Sequence, residues 1–383
     1  MLDFSFTPAQ EAFRHGLREL ALGELLPRYQ ANEDEAHYPA EQIRRIVGYG
    51  ESFWQEHEGG PDLISVGITA EEIARGDFNC VLPSLGRAYR DQFYTDITPE
   101  QEARWLSGVV SGEQVIALAI TEPEAGSDMG QLATRAVREG ASYVLDGVKS
   151  SVSFLNGDVF YTFARTDPRA SGWQGISGFL VPRKTPGLSF EPYQDLGCRA
   201  IPRGIVRYEG VRVPVEARVG PAGTAFQRIS RFFDVNRAVI ALKCVGAALQ
   251  TLDETLAHTR TRKTFGAPLA SRQAVSFALA EIATRLDMAR WQAYRVLWLR
   301  QQGIPCQREG AMIKWWAPKV ATEAIHQCLL FHGHRGYTRE LPIEQRLRDV
   351  IGWQIGDGSA EVMKLILTRE LYAGAGAGEG RIR

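Results

Sequence analysis

Net charge is nearly absent from this 383-residue chain: 44 Lys and Arg stand against 45 Asp and Glu, a balance of -1. A protein held on nucleic acid by phosphate contacts needs a basic field, and no global one exists here. No apolar run reaches the roughly 18 residues that mark a membrane-spanning helix. Cysteine is scarce: Cys80, Cys198, Cys244, Cys306 and Cys328 are scattered, odd in number and without CxxC spacing. That excludes a disulfide framework and the usual zinc spacings, so no metal site is expected and the thiols suit a reducing, cytoplasmic setting. The first twenty residues lack the basic and apolar stretches of a signal peptide. No internal repeat is present. What remains, 44% hydrophobic and 23% charged, is the composition of an ordinary soluble protein.

Three textures follow one another along the chain. Residues 1–113 carry helical periodicity, beginning after Thr7-Pro8 and recurring at Ile43–Val47 and Ile68–Ala74, with a loop at Gly59-Gly60-Pro61. Residues 114–222 hold short strand-like runs: Val115–Ile120, Tyr143–Val148 ending in an Asp146-Gly147 turn signal, Phe160–Ala164, Gly178–Val181 and Ile205–Tyr208. These predict a small β-barrel or sandwich. Residues 223–372 return to long helices, Phe226–Thr259, Ser271–Gln302, Cys306–Leu330 with a kink at Pro318, and Glu361 to about Tyr372. The Ala-Gly tail, 373–383, is expected to be flexible. The fold class is α+β: helical domain, β domain, helical bundle.

Asp357 lies between Gly356 and Gly358, with Ile351, Trp353 and Ile355 before it. The glycines let the backbone bend and admit close approach. A carboxylate among apolar groups loses hydration, its pKa rises, and it becomes a candidate proton acceptor. Asp-Gly is equally a common solvated turn. The run Thr121-Glu122-Pro123-Glu124-Ala125-Gly126-Ser127-Asp128 leaves a strand into a loop rich in hydroxyls and backbone donors, suited to a ring edge or phosphate or simply to structure.

That run resembles the Thr-Glu-Pro-x-Ala-Gly-Ser-Asp signature of the acyl-CoA dehydrogenase family. Arg262-Lys263-Thr264-Phe265-Gly266 with Gln273 resembles its Arg-x-x-Phe-Gly…Gln element, and His332-Gly333-His334-Arg335-Gly336-Tyr337 its glycine-rich turn. Leu341-Pro342-Ile343-Glu344 and Arg348-Asp349 then lead to Asp357. The resemblance spans roughly residues 3–372. It implies FAD bound between the β domain and the C-terminal helices. Leu118, Thr121, Ser127, Ser151 and Ser153 would line the flavin, with Thr121 at the pyrimidine edge and Ser153 at N5. Arg262, Thr264 and Phe265 would reach the diphosphate of FAD bound mainly by a neighbouring subunit. Gln273, Leu330, Gly333 and His334 would contact the adenosine side, and Ser359 and Glu361 the flavin beside the base. Ser127, Asp234, Arg237 and Gly358 would face the acyl-CoA. Arginine suits a diphosphate because its fork forms bidentate, charge-assisted bonds. Arg348-Asp349 reads better as a structural ion pair.

The resemblance further implies α,β-dehydrogenation of a thioester: Asp357 takes the α-proton, the β-hydrogen leaves as hydride to flavin N5, and electrons pass to an electron-transfer flavoprotein. A site completed by a second chain implies at least a dimer; the family norm is a tetramer. Three positions depart from the family. Asp357 replaces the usual glutamate and falls about 1.5 Å short; Ser151 stands where tryptophan is common; His334 replaces a glycine. Some relatives carry a glutamate at the position of Asn236, which cannot act as a base. The short base, Gly356 and Ser151 give the acyl pocket room, which favours a branched or alicyclic acyl-CoA. The Lys314–Pro318 and His332–His334 runs resemble cyclohexanecarboxyl-CoA dehydrogenases. The alternatives are a nitroalkane-type flavin oxidase, an enoyl-thioester reductase, a carrier-protein-bound substrate, and a non-catalytic flavin-binding or assembly protein.

Overall fold

The structure is a computed structural model that describes residues 4–58, 61–93 and 96–375. Gly59 and Gly60 of the expected loop, and residues 376–383 of the expected tail, lie outside the described residues. In chain order the helices are α1 (Pro8–Leu20), α2 (Tyr29–Asp34), α3 (Ala40–Glu56), α4 (Leu63–Gly76), α5 (Gly86–Phe93), α6 (Pro99–Gln101), α7 (Ala225–Thr261), α8 (Gln273–Gln301), α9 (Gln307–Phe331), α10 (Ile343–Ile351) and α11 (Ala360–Ala375). The strands are β1 (Ile116–Ala119), β2 (Arg135–Glu139), β3 (Ser142–Ser153), β4 (Val159–Arg165), β5 (Ile176–Pro182), β6 (Leu188–Pro192), β7 (Arg203–Pro214), β8 (Arg218–Val219), and the small pair β9 (Lys263–Thr264) and β10 (Ala267–Pro268). By packing, the chain forms two compact units, one of residues 1–30, 53–81 and 233–383 and one of 31–52 and 82–232.

The first unit is helical. Thr7 caps α1 by accepting from the Gln10 N–H, Gln10 reaches back to the Thr7 N–H, and Pro8 opens the first turn. Helix α4 is buried almost all round. Its carboxylates survive burial because each meets an arginine: Glu71 accepts from Arg290 at 2.7 Å and from Tyr294, and Glu72 from Arg18 at 2.7 and 2.8 Å. Helix α9 runs through Pro318 without a break. The last helix continues to Ala375. Arg348 donates to Glu344 at 2.7 Å, and buried Asp349 accepts from the Tyr29 hydroxyl at 2.6 Å and from Asn79.

The second unit is built on an eight-stranded sheet in the order β6-β7-β3-β2-β4-β5-β8, with β1 added parallel to β4. The pairs are otherwise antiparallel apart from one parallel contact of β2 with β4. Strand β4 is buried on both faces from Val159 to Ala164, which is why its sequence reads as one apolar run. The Asp146-Gly147 signal is not a hairpin turn; the β2–β3 hairpin turns at Gly140-Ala141. Gly147 lies inside β3 at a register shift opposite β7, with φ +150°, and a Cβ there would stand 2.7 Å from the Thr134 Cα. The glycine serves close approach and a bulge.

Candidate active site

Asp357 stands in a turn between α10 and α11. After α10 the chain winds one further turn, Gly352–Gln354, and the Gly352 carbonyl accepts from the N–H groups of Ile355 and Gly356. Asp357 then adopts φ +55° and Gly358 φ +98°. Aspartate is one of the few side chains that visits the left-handed region without large cost. Ser359 immediately precedes α11, its carbonyl accepting from Met363 N–H at 3.0 Å.

Three neighbours on other helices act on this turn. Asn236, buried on α7, donates from Nδ2 to Asp357 Oδ2 at 2.7 Å. Among the described residues, Oδ1 has no hydrogen-bond partner. Lys314, fully buried on α9, donates from Nζ to the carbonyls of Trp353 at 2.8 Å and Gly358 at 3.0 Å. Lys243, buried on α7, holds its ammonium 4.0 Å from the Phe78 ring centre and 4.1 Å from that of Trp353, a cation–π sandwich. Next to Asn236, Arg237 donates to Asp234 at 2.9 Å.

Crowding by protein atoms pushes the Asp357 carboxyl up from its ordinary pKa, while Lys314, the Asn236 bond, Lys243 and Arg237 pull it back. The residue as a whole is exposed, so water limits how far burial acts. Burial lowers Lys314 to about 8 against the opposing pull of Asp357. Burial likewise raises Asp234 against Arg237. The surroundings of Asp357 are therefore cationic, where its apolar sequence neighbours suggested an apolar pocket; Ile355 itself points to solvent, 73% exposed. Chemically, the arrangement is a carboxyl group with one oxygen tied and one open, set among cationic side chains.

The sheet unit carries the other predicted hydroxyls. Leu118 is the third residue of β1, and Thr121 follows the strand end. The Thr121 carbonyl accepts from Ser150 N–H at 2.9 Å, which seats this exit against β3. There β3 breaks register with β7 between Lys149 and Val152, and Ser151 has φ +54°. The bulge re-aims the Ser151 side chain, which is exposed, and returns Ser153 to the ladder. Glu122, the second residue of the signature, fixes the corner: it accepts from the N–H groups of Ala133 and Thr134 and from Lys149 Nζ at 2.8 Å, and Lys149 also bonds the Ile120 carbonyl. Among the described residues the hydroxyls of Thr121, Ser127, Ser151 and Ser153 make no hydrogen bond within the chain. A set of unspent hydroxyls beside an open strand exit fits the hydrogen-bonding edge of a flavin.

The remaining predicted residues lie in the helical unit. Arg262 follows α7, and the β9–β10 pair with Phe265 (φ +50°) leads to Gln273 at the start of α8. Phe265 is 99% exposed, an aromatic ring with nothing of its own unit to cover it. The glycine turn sits close by: His258, one turn before Arg262, stacks on His332 at 4.2 Å, and burial, then Arg335 and Arg262, depress His258. Leu330, Gly333 and His334 are exposed. This brings two of the sequence blocks, Arg262–Gly266 and His332–Tyr337, to one neighbourhood whose exposed arginine and backbone donors fit a diphosphate. Ser359 and Gly358 adjoin Asp357 directly, and Glu361 is exposed at the first turn of α11.

Lys314, Lys149 and the contact of Asn236 with Asp357 are the functional features that sequence reasoning missed. A signal for Lys314 exists: it occupies a core position of α9, between Ala311 and Ala317, where an apolar residue belongs.

Family models for the acyl-CoA dehydrogenase N-terminal, middle and C-terminal domains match residues 7–113, 117–211 and 224–372. The chain is 32% identical over 381 residues to the probable acyl-CoA dehydrogenase YngJ of Bacillus subtilis, covering 97% of this chain and 100% of that one. It is 31% identical over 381 residues to the short-chain specific acyl-CoA dehydrogenase of Clostridium acetobutylicum, with the same coverage. The structure of butyryl-CoA dehydrogenase from Megasphaera elsdenii superposes with a TM-score of 0.90 at 26% identity, over 97% of this chain and 100% of that one.

Proposed function

This chain belongs to the acyl-CoA dehydrogenase family, and we propose that Asp357 is the base of its reaction. The protein is an FAD-dependent oxidoreductase that dehydrogenates an acyl-CoA thioester. FAD, when bound, supplies the hydride acceptor. The chain's own residues bind, orient and move one proton. Asn236 ties Oδ2 of Asp357, and the open Oδ1 takes the α-proton. The resulting negative charge on the thioester oxygen needs a donor, and a backbone N–H beside Asp357 is the one we assign. The observation that carries this reading is the one-sided tie on Asp357 among Lys314, Lys243 and Arg237. It aims the carboxyl group and opposes the effect of burial while leaving one oxygen for chemistry.

Leu118, Thr121, Ser127, Ser151 and Ser153 hold the flavin ring by this proposal. Arg262, Thr264, Phe265, Gln273, Leu330, Gly333 and His334 hold the diphosphate and adenosine, with Ser359 and Glu361 beside the ring. Asp234, Arg237, Ser127 and Gly358 face the acyl-CoA. We assign the acyl group as branched or alicyclic. The supports are the short side chain of Asp357, the missing side chain at Gly356 and the exposed Ser151 at its bulge. The acceptor is an electron-transfer flavoprotein, the assembly at least a dimer on the tetramer plan of the family, the setting cytoplasmic, and the order along the chain helical 1–113, β 114–222, helical 223–372. No helix among the described residues is long and apolar enough to cross a membrane.

Anaerobic titration of the flavin with straight, branched and cyclic acyl-CoAs tests the reading. Wild type bleaches, most completely with a branched or cyclic substrate. Asp357→Asn binds FAD and fails to bleach; bleaching at the wild-type rate would remove Asp357 from the role. Preference for butyryl-CoA would overturn the acyl assignment alone.

A further inference from the structure

Lys314 is out of place as a stabilising residue. Its ammonium is wholly buried, and burying an ammonium costs several kcal/mol unless its bonds and partners return it. A methionine of similar length would fill the same space on α9 at less cost. The bonds it makes are specific. Trp353 is the middle residue of the extra turn after α10, and Gly358 lies two residues before the first residue of α11. By donating to both carbonyls, the one ammonium forms a chord across residues 353–358, with Asp357 inside it. The enclosed segment needs such a chord, since Gly356 and Gly358 flank a left-handed Asp357 and leave the backbone otherwise free to re-fold locally.

We propose that Lys314 is the positioning residue for Asp357, fixing from the backbone on both sides the turn that presents the carboxylate. This rests on Asp357 being the base. The other groups facing Asp357 are Asn236, Arg237 and Lys243 from α7, with Arg237 itself bonded to Asp234 and Cys244 close to Lys314. Lys314 differs from them in bonding the backbone on both sides of the base. Removing it therefore acts on position and charge together, whereas removing Lys243 acts on charge and on the Trp353 ring.

The test compares Lys314→Met, Lys314→Ala and Asp357→Asn as FAD-loaded proteins, reading the rate of flavin reduction by acyl-CoA across pH. In Lys314→Met the rate at the pH plateau falls about 10- to 100-fold, the scale of a misplaced catalytic group. Its acid limb moves to higher pH, because Asp357 loses a cation that favours its charged form. In Lys314→Ala, n-propylamine restores rate in proportion to its ammonium form, and n-propanol of similar size does not. A wild-type rate and limb in Lys314→Met overturns the proposal. So does equal rescue by the alcohol, which means the lysine only fills space. If Lys314→Met does not hold FAD, the amine experiment decides alone. Asp357→Asn separates the two readings. If it reduces flavin as wild type does, the base assignment fails. If it is inactive while Lys314→Met keeps the wild-type profile, only the Lys314 proposal fails.

Discussion

Replacing Lys149 with methionine should destabilise the strand exit that carries Thr121 by about 3 kcal/mol. Glu122 is 6% exposed and its carboxylate receives three donors, the Lys149 ammonium at 2.8 Å and the N–H groups of Ala133 at 2.7 Å and Thr134 at 2.9 Å. Breaking a buried ion pair from one side costs roughly 3–5 kcal/mol. The two backbone bonds remain and place the loss at the lower end. The two partners shift unequally, and the donor count explains why. Burial lowers Lys149 to about 8 although Glu122 opposes it, since among the described residues the lysine bonds only Glu122 and the Ile120 carbonyl. Glu122, with three donors, stays below the usual glutamate value despite its burial. The linkage signs follow. Between about pH 8 and the unfolded lysine value of about 10.4 the unfolded chain holds a proton that folded Lys149 has shed, so this group's contribution to stability rises with pH. The Glu122 contribution is present above about pH 4.3 and is lost as pH falls through its depressed folded value. Hydrogen exchange at the Ala133 and Thr134 amides reads the opening of this corner directly. Both amides should exchange about 100-fold faster in Lys149→Met, and the gap from wild type should widen from pH 8 to 10. The double variant Lys149→Met/Glu122→Gln should be more stable than the sum of the single changes by at least about 1 kcal/mol. Strict additivity, or a gap that narrows above pH 8, would refute the pairing argument.

Asn236→Leu removes the donor to Asp357 Oδ2 without touching charge. The acid limb of flavin reduction should move to higher pH with FAD retained, as measured by stopped-flow absorbance. Gly147→Ala places a methyl group against Thr134 at a φ that side chains rarely adopt. It should cost about 1–3 kcal/mol in chemical denaturation, the range for overpacking, and a neutral outcome would show that β3 can shift there.

The sequence made the three textures and the ends of most long helices legible, because periodicity and caps act locally. Thr7-Pro8 and the start of α1 are one such case, and the unbroken apolar run of β4 is another. What it hid depends on distance along the chain. Asp146-Gly147 has the composition of a turn and sits in a strand because Thr134, thirteen residues earlier, packs where a side chain would be. Asp357 has apolar neighbours in sequence and cationic ones in space, since Lys314 and Lys243 arrive from other helices. Glu122 looked like one letter of a signature; its physical task is to hold a corner through Lys149, 27 residues on. Arg348-Asp349 looked like a local pair, and the bonds of these residues also reach Glu344 for one and Tyr29, far back in the chain, for the other.

The short base can be understood as a choice of precision over reach. Aspartate has one rotatable bond fewer than glutamate, so fixing its carboxylate costs less conformational entropy. Here the fixing is done by others: Asn236 holds one oxygen, and Lys314 holds the backbone on both sides. Asn236 also explains why a single carboxylate serves. At hydrogen-bond distance from Asp357, a glutamate in its place would set two like charges against each other and drive one of them to hold a proton. A carboxamide at that position removes the conflict and converts a rival base into a support. The positions of Asn236 and Asp357 are thus coupled. Introducing a carboxylate at one should weaken the other as a base, so that a glutamate at 236 is tolerated only when 357 is no longer the ionised partner.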